Sequence, residues 1–217
     1  PIRSMVDSAR RIADGDYTHA LTVRTGTELD TLGEALGFMR ETVSEREARI
    51  QYQAQHDLLT QLPNRNYMYA LYQRYLRDNP QRAAFAIALV ELEDLAQIRD
   101  LYGSEFCDQV LREASQRISR CLRRGDIAGR VGDQQILLFL QGMKNDGVAA
   151  LRQKIDELGD TPLQVDGVPV TPELRLGFAF SPAHGMDFDD LQRRAQLALT
   201  EARRSGRRHE VYTVGKD

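Results

Sequence analysis

Between Arg112 and Arg130 the chain carries Arg112, Arg117, Arg120, Arg123, Arg124 and Arg130 against only Glu113 and Asp126. This is a basic stretch in a protein whose 29 Lys and Arg are outnumbered by 32 Asp and Glu, for a formal charge of −3. Any anion site is therefore local, and the overall charge makes no case for nucleic acid as a partner. Within the stretch, Arg123 can grip a phosphate with two parallel N–H bonds while Asp126 accepts from N–H donors. The same spacing equally suits a surface salt bridge closing a helix end, with Asp126 paired to Arg123 or Arg130. Further along, Gly132-Asp133-Gln134-Gln135 reads as a polar turn. Its two amides ligate a hard cation weakly, bring no negative charge and cannot act as general bases. Arg203 and Arg207 read as a cationic helix end that complements the helix dipole.

The elements that must position these residues follow from the apolar pattern after Asp57. It predicts a helix near Asn66–Arg77, a strand near Phe85–Leu92 and a long helix near Phe106–Arg123. Strands then fall at Ile127–Val131 and Ile136–Leu140, a helix at Val148–Leu158, a strand at Leu174–Phe180, a helix at Asp189–Arg204 and a last strand near Val211. The expected fold class is α+β, a sheet flanked by helices. Only residues 132–135 separate two of the strands, so those strands form a hairpin that presents its turn at the sheet edge. Cys107 and Cys121 share the long helix, roughly 21 Å apart at 1.5 Å per residue, and cannot pair with each other. That suits a reducing compartment.

The first 56 residues have another character. Ile2, Met5, Ala9 and Ile12 step by three and four, and Asp14-Gly15-Asp16 stops that helix. A polar connector with Leu21 and Val23 alternating leads to Thr27, a helix-start residue. Leu29, Leu32, Leu36, Met39 and Val43 then form a stricter seam, continued by Ile50. Two such helices bury little surface alone, so a parallel homodimer forming a four-helix bundle is the expected arrangement, with an intramolecular hairpin as the alternative. With 217 residues, the chain reads as one core plus an appendage. No apolar run reaches the length of a membrane span and no signal segment opens the sequence.

Pro1-Ile2-Arg3 through Ala13-Asp14-Gly15-Asp16, with Glu28-Leu29-Asp30-Thr31-Leu32-Gly33, resembles a HAMP domain over about residues 1–46. That resemblance implies a relay from a membrane helix ahead of Pro1, and so a fragment on the cytoplasmic side of the bacterial inner membrane. Residues 47–56 read as a helical coiled-coil linker. Asp57-Leu58-Leu59-Thr60-Gln61-Leu62-Pro63-Asn64-Arg65 closely resembles the opening motif of the GGDEF family, the diguanylate cyclases. Tyr102-Gly103, Asp108, Leu176-Gly177-Phe178-Ala179 and Ala202-Arg203-Arg204-Ser205-Gly206-Arg207 follow in the family's order. The GGDEF domain is expected over residues 57–217.

Cyclases of this family join two GTP molecules into cyclic di-GMP by phosphoryl transfer, with carboxylates holding the metal ions. The resemblance sets Gly132, Asp133, Gln134, Gln135 and Ile136 at the signature, where both acids are replaced by amides. Asp133 replaces a glycine, adding bulk and negative charge beside phosphates. Glu91 falls at a metal aspartate, Arg99 at the guanine-reading asparagine and Ala96 at a nearby lysine. Asp108 keeps a guanine contact, and Arg203 and Arg207 stand at phosphate-binding positions. The implied domain is non-catalytic and degenerate, with no metal site and no required cofactor. The alternative is a feeble cyclase using Glu91, the paired glutamines and Mg²⁺.

Arg123-Arg124-Gly125-Asp126 stands at the offset of the family's product-inhibition motif, with Lys154 as a third, weaker contact. This implies cyclic di-GMP as a ligand to test. Many members with an altered signature are followed by an EAL domain, so such a domain after Asp217, or a separate effector, is the expected downstream partner.

Overall fold

The computed structural model describes residues 2–19, 26, 28–81, 84–143 and 147–214. The chain divides into two compact units, residues 1–54 and residues 55–217. In the first, α1 (Ile2–Ala13) buries Met5 and Ile12, two of the residues in its predicted seam. Helix α2 (Glu28–Gln55) buries Gly33, while Leu32 and Met39 of its seam are 50% and 43% exposed. The connector residues Leu21, Val23 and Thr27 lie outside the described residues.

The second unit contains α3 (Arg65–Asp78), β1 (Phe85–Leu92), α4 (Leu95–Tyr102), α5 (Ser104–Cys121), β2 (Ile127–Arg130), β3 (Gln135–Gln141) and α6 (Val148–Asp160). Then come β4 (Leu163–Val165), β5 (Val168–Val170), β6 (Leu174–Ser181), α7 (Phe188–Arg204) and β7 (His209–Val211). Five strands form a sheet ordered β2-β3-β1-β6-β7. All neighbours run antiparallel except β6 and β7, which are parallel. The α+β expectation holds, and β2 and β3 form the predicted hairpin.

Alternation along β1 divides the core in two. Ala86, Ala88, Val90 and Leu92 join the residues of α5 and α6, whereas Phe85, Ile87 and Leu89 join those of α3 and α7. The second layer is aromatic: Tyr72, Tyr75, Phe85 and Phe139 have ring centroids 5.3–6.3 Å apart. Burying each such ring contributes about 2–3 kcal/mol. Helix α7 closes on this layer because position 177 lacks a side chain; a Cβ there would lie 2.1 Å from the Ala195 carbonyl oxygen. Its N-terminus is capped by Asp187, whose carboxylate accepts from the Asp190 N–H at 3.0 Å.

Two elements depart from the sequence expectation. Helix α4 spans only eight residues, and Gly103 at φ +89° separates it from α5. The β4–β5 hairpin turns through Asp166 and Gly167, both at positive φ.

Candidate functional site

The odd-numbered residues of β1 face α7, and this continues past the core. Register places Glu91 opposite Gln135 on one side and Arg175 on the other. Glu91 and Glu93 therefore end the aromatic layer with two mostly buried carboxylates, their side chains 12% and 15% exposed. The final turns of α7 bring Arg203 over them.

Each of the four carboxylate oxygens accepts an N–H. Gln135 Nε2 donates to Glu91 Oε1 at 3.3 Å and Arg203 Nη2 donates to Glu91 Oε2. Arg203 Nε donates to Glu93 Oε1 at 2.9 Å and Arg175 Nη2 to Glu93 Oε2 at 2.6 Å. Arg175 also bonds Glu173 at 3.0 Å, and its Nη1 donates to the carbonyls of Ala202 and Arg207. Gln135 Nε2 also reaches Gln196 Oε1 at 3.0 Å. The Arg175 guanidinium, with help from Arg203 and against the effect of burial, holds the Glu93 carboxyl below its ordinary pKa.

Beside this cluster sits the turn of residues 132–135. The Gln134 carbonyl accepts from the Leu92 N–H at 3.1 Å, fixing the turn to the end of β1. Arg130 donates to the carbonyls of Gly132 at 3.2 Å and Asp133 at 3.0 Å, and contacts both oxygens of Asp57 at 3.1 Å. Asp133 is exposed, and Ile136 is buried as the first core residue of β3 after Gln135.

Of the residues singled out by sequence, the fold thus brings Glu91, Gln135 and Arg203 together. Arg203 is half exposed yet paired to two acids, rather than a solvated helix end. Arg207 turns to Glu210 at 2.8 Å. Ala96, Arg99 and Asp108 are exposed on α4 and α5, where Tyr102 stacks on Phe106 with centroids 4.7 Å apart. Sequence reasoning missed Glu93, Arg175 and Gln196. A lone arginine inside the apolar run Leu174-Arg175-Leu176 was the available signal.

A second cluster lies where α5 ends. Arg123 Nε bonds Asp126 Oδ2 at 3.1 Å, Asp126 Oδ1 accepts from the Gln141 N–H at 3.0 Å, and Arg123 Nη2 donates to the Gln141 carbonyl. The Asp126 side chain is only 3% exposed. Burial raises its pKa above the ordinary carboxylate value, and the Arg123 charge and Gln141 N–H offset this only in part. Lys154 Nζ approaches the Cys121 carbonyl at 3.5 Å. All three predicted residues, Arg123, Asp126 and Lys154, line one pocket of about 130 Å³ with Cys121, Met143 and Leu151.

Comparison with known proteins gives a consistent picture. A family model described as "Diguanylate cyclase, GGDEF domain" matches residues 54–209, and the HAMP domain model matches residues 1–45. Diguanylate cyclase TpbB of Pseudomonas aeruginosa is 31% identical over 191 residues, covering 83% of this chain and 44% of that protein. Cyclic di-GMP phosphodiesterase PdeR of Escherichia coli is 28% identical over 159 residues, covering 73% and 24%. The chain therefore spans less than half the length of these curated relatives. The solved GGDEF domain of TpbB superposes with a TM-score of 0.69 at 27% identity, covering 73% of this chain and 95% of that one. The coiled coil and GGDEF domain of DgcB from Caulobacter crescentus, solved with c-di-GMP, gives 0.72 at 21% identity over 86% and 99%.

Proposed function

The chain belongs to the GGDEF family, with a HAMP domain ahead of the GGDEF domain, and from that premise we propose that it is a non-catalytic signalling module of a membrane receptor in cyclic di-GMP signalling. The observation that carries this reading is the engagement of Glu91 and Glu93, whose four oxygens each already accept an N–H from Gln135, Arg175 or Arg203. Magnesium is held through one or two carboxylates, with waters and phosphates completing its octahedral shell, so it needs carboxylate oxygens that are open to it. Here three of the four carboxylate oxygens accept from arginine and the fourth from the Gln135 amide, which presents an N–H where a metal ligand would present an oxygen lone pair. The donor set does not suit a divalent cation, so no phosphoryl-transfer step is assigned and no cofactor is required.

In this proposal residues 1–46 form the HAMP domain, 47–56 the coiled linker and 57–217 a degenerate GGDEF domain that passes movement onward. Exposure of Leu32, Met39 and Ile50 supports a homodimer through the HAMP and linker helices. None of the described helices is long and apolar enough to cross a membrane; the proposed transmembrane helix precedes Pro1, which places this module on the cytoplasmic side of the inner membrane. An EAL domain or a separate effector receives the signal. The test is incubation of the protein with GTP and Mg²⁺ or Mn²⁺. No cyclic di-GMP is expected, and product that disappears in Glu91→Ala overturns the proposal in favour of a feeble cyclase.

One specific observation supports a second property, cyclic di-GMP binding: Arg123, Asp126 and Lys154 converge on one pocket. Arg123 and Lys154 are exposed, and Arg123 offers N–H donors to phosphate. Calorimetry should show heat with cyclic di-GMP that Arg123→Ala removes; absent heat, or unchanged affinity in the variant, eliminates the site.

A further inference from the structure

We propose that Arg175 and Arg203 together act as a built-in substitute for a divalent cation, holding Glu91 and Glu93 and excluding metal from the end of β1. This rests on the family reading above but concerns what occupies the cluster rather than whether the chain makes product. Charge and geometry carry it. Two carboxylates at 12% and 15% side-chain exposure face two guanidinium groups and balance them, while Glu173, 62% exposed, adds a negative charge at the rim beside Arg175. An added divalent ion would leave excess positive charge in a partly dehydrated site, offset only by the exposed Glu173.

The two arginines are not equivalent. Arg175 is 8% exposed and arises from β6, where it ties Glu93 to the carbonyls of Ala202 and Arg207. It thereby fastens the end of β1 and β6 to the end of α7 and the turn after it. Arg203 is 52% exposed at the end of α7 and bridges Glu91 to Glu93. It is the accessible half of the pair, and its removal frees one oxygen of each carboxylate. Arg203 is therefore the residue that keeps the cluster closed to cations, and its charge rather than its shape does so.

The test uses the whole chain and Mn²⁺ alone, followed by electron paramagnetic resonance of free Mn²⁺ and by thermal melting. The wild type should bind no Mn²⁺ at this cluster and melt at the same temperature with or without it. Arg203→Ala should bind Mn²⁺ at least about tenfold more tightly than the wild type and melt higher when it is present. Arg203→Lys, which keeps the charge, should stay metal-free, and Glu91→Gln added to Arg203→Ala should abolish the gain. The deeper change Arg175→Ser with Arg203→Ala should bind more tightly still if it folds; the single variant decides the matter if it does not. Mn²⁺ binding by the wild type that Glu91→Gln removes, or no gain in Arg203→Ala, overturns the inference. Wild type that binds Mn²⁺ but makes no product from GTP refutes this inference while leaving the proposed function standing; Glu91-dependent product refutes the proposed function.

Discussion

Arg130 and Asp57 join the turn that opens the GGDEF domain to the signature turn: Arg130 Nη1 lies 3.1 Å from both Asp57 oxygens while its Nε and Nη2 bond the Gly132 and Asp133 carbonyls. Asp57 also accepts from the Thr60 N–H at 2.8 Å and hydroxyl at 2.7 Å. Residues 73 apart in sequence are thus held by one guanidinium.

A pH-dependent stability follows from this pair. Burial alone raises the Asp57 pKa, but the bonds from Thr60 and Arg130 outweigh it and leave the folded value below the ordinary one. The unfolded chain therefore binds the proton more readily. The stabilisation is complete above the ordinary carboxylate pKa of roughly 4 and is lost as pH falls through the depressed folded value. Asp57→Asn should cost roughly 1–3 kcal/mol at neutral pH, and less as the medium is acidified below that range. Urea denaturation at both conditions measures it; equal cost throughout would remove the electrostatic account.

Asp126 has the opposite sign. Its folded pKa is raised, chiefly by burial, so ionisation opposes folding at neutral pH and this cost is relieved as pH falls through the folded value. Asp126→Asn, which keeps an oxygen for the Gln141 N–H, should therefore change stability by less than about 1 kcal/mol or raise it. Asp126→Ala leaves that N–H without its acceptor and should cost about 1–3 kcal/mol. Denaturation of the two variants side by side separates charge from hydrogen bond; a larger loss in the Asn variant would contradict this reading.

The homodimer is open to a direct measurement. Leu36 lies in the predicted α2 seam between Leu32 and Met39, and a charge at such a position is costly in a coiled-coil interface. Sedimentation should show wild-type dimers and a Leu36→Arg monomer at the same concentration, with the GGDEF domain's circular dichroism retained. A monomeric wild type removes the assembly from the proposal.

How far the sequence reveals this arrangement depends on the range of the forces involved. β1, β3 and β6 are legible because an apolar run buried on both faces needs no partner to be identified. Helix α4 escapes notice because its two turns leave too few positions for periodicity, and its break from α5 is set by the backbone of Gly103. The β4–β5 hairpin carried a readable turn, Asp166-Gly167 between Val165 and Val168, which short strands made easy to pass over. Glu91 and Gln135 are located by their family positions. Their neighbours Arg175 and Arg203 reach the acids only through strand register and the close docking of α7, neither of which is local in sequence.

That docking gives a sharp packing test. The Cβ of Gly177→Ala would lie 2.1 Å from the Ala195 carbonyl oxygen and 2.4 Å from the Leu199 nitrogen, both backbone atoms of α7. No rotamer change relieves such a clash, so the helix must move off the sheet. The expected loss is about 3 kcal/mol, and Arg203 should lose its hold on Glu91 as α7 shifts. Thermal denaturation gives the first effect; an unchanged midpoint would show that α7 accommodates the methyl without moving.

Restoring acids to the signature should not restore a cyclase. In Gln134→Glu with Gln135→Glu, the new carboxylate at position 135 replaces the amide that donates to Glu91 Oε1 at 3.3 Å. Like charges then face one another at the sheet surface, and Arg203 is drawn further into the cluster instead of being released. The variant should melt lower than the wild type and form no cyclic di-GMP from GTP and Mn²⁺. Removing Arg203 in the same background frees one oxygen each of Glu91 and Glu93 and should produce Mn²⁺ binding, since Glu91, Glu93, Glu173 and the new carboxylate at position 135 then confront only Arg175. Product from the acid-restored chain with Arg203 intact would mean that the guanidinium swings aside for metal, and the charge-neutralisation argument would fail at its central step.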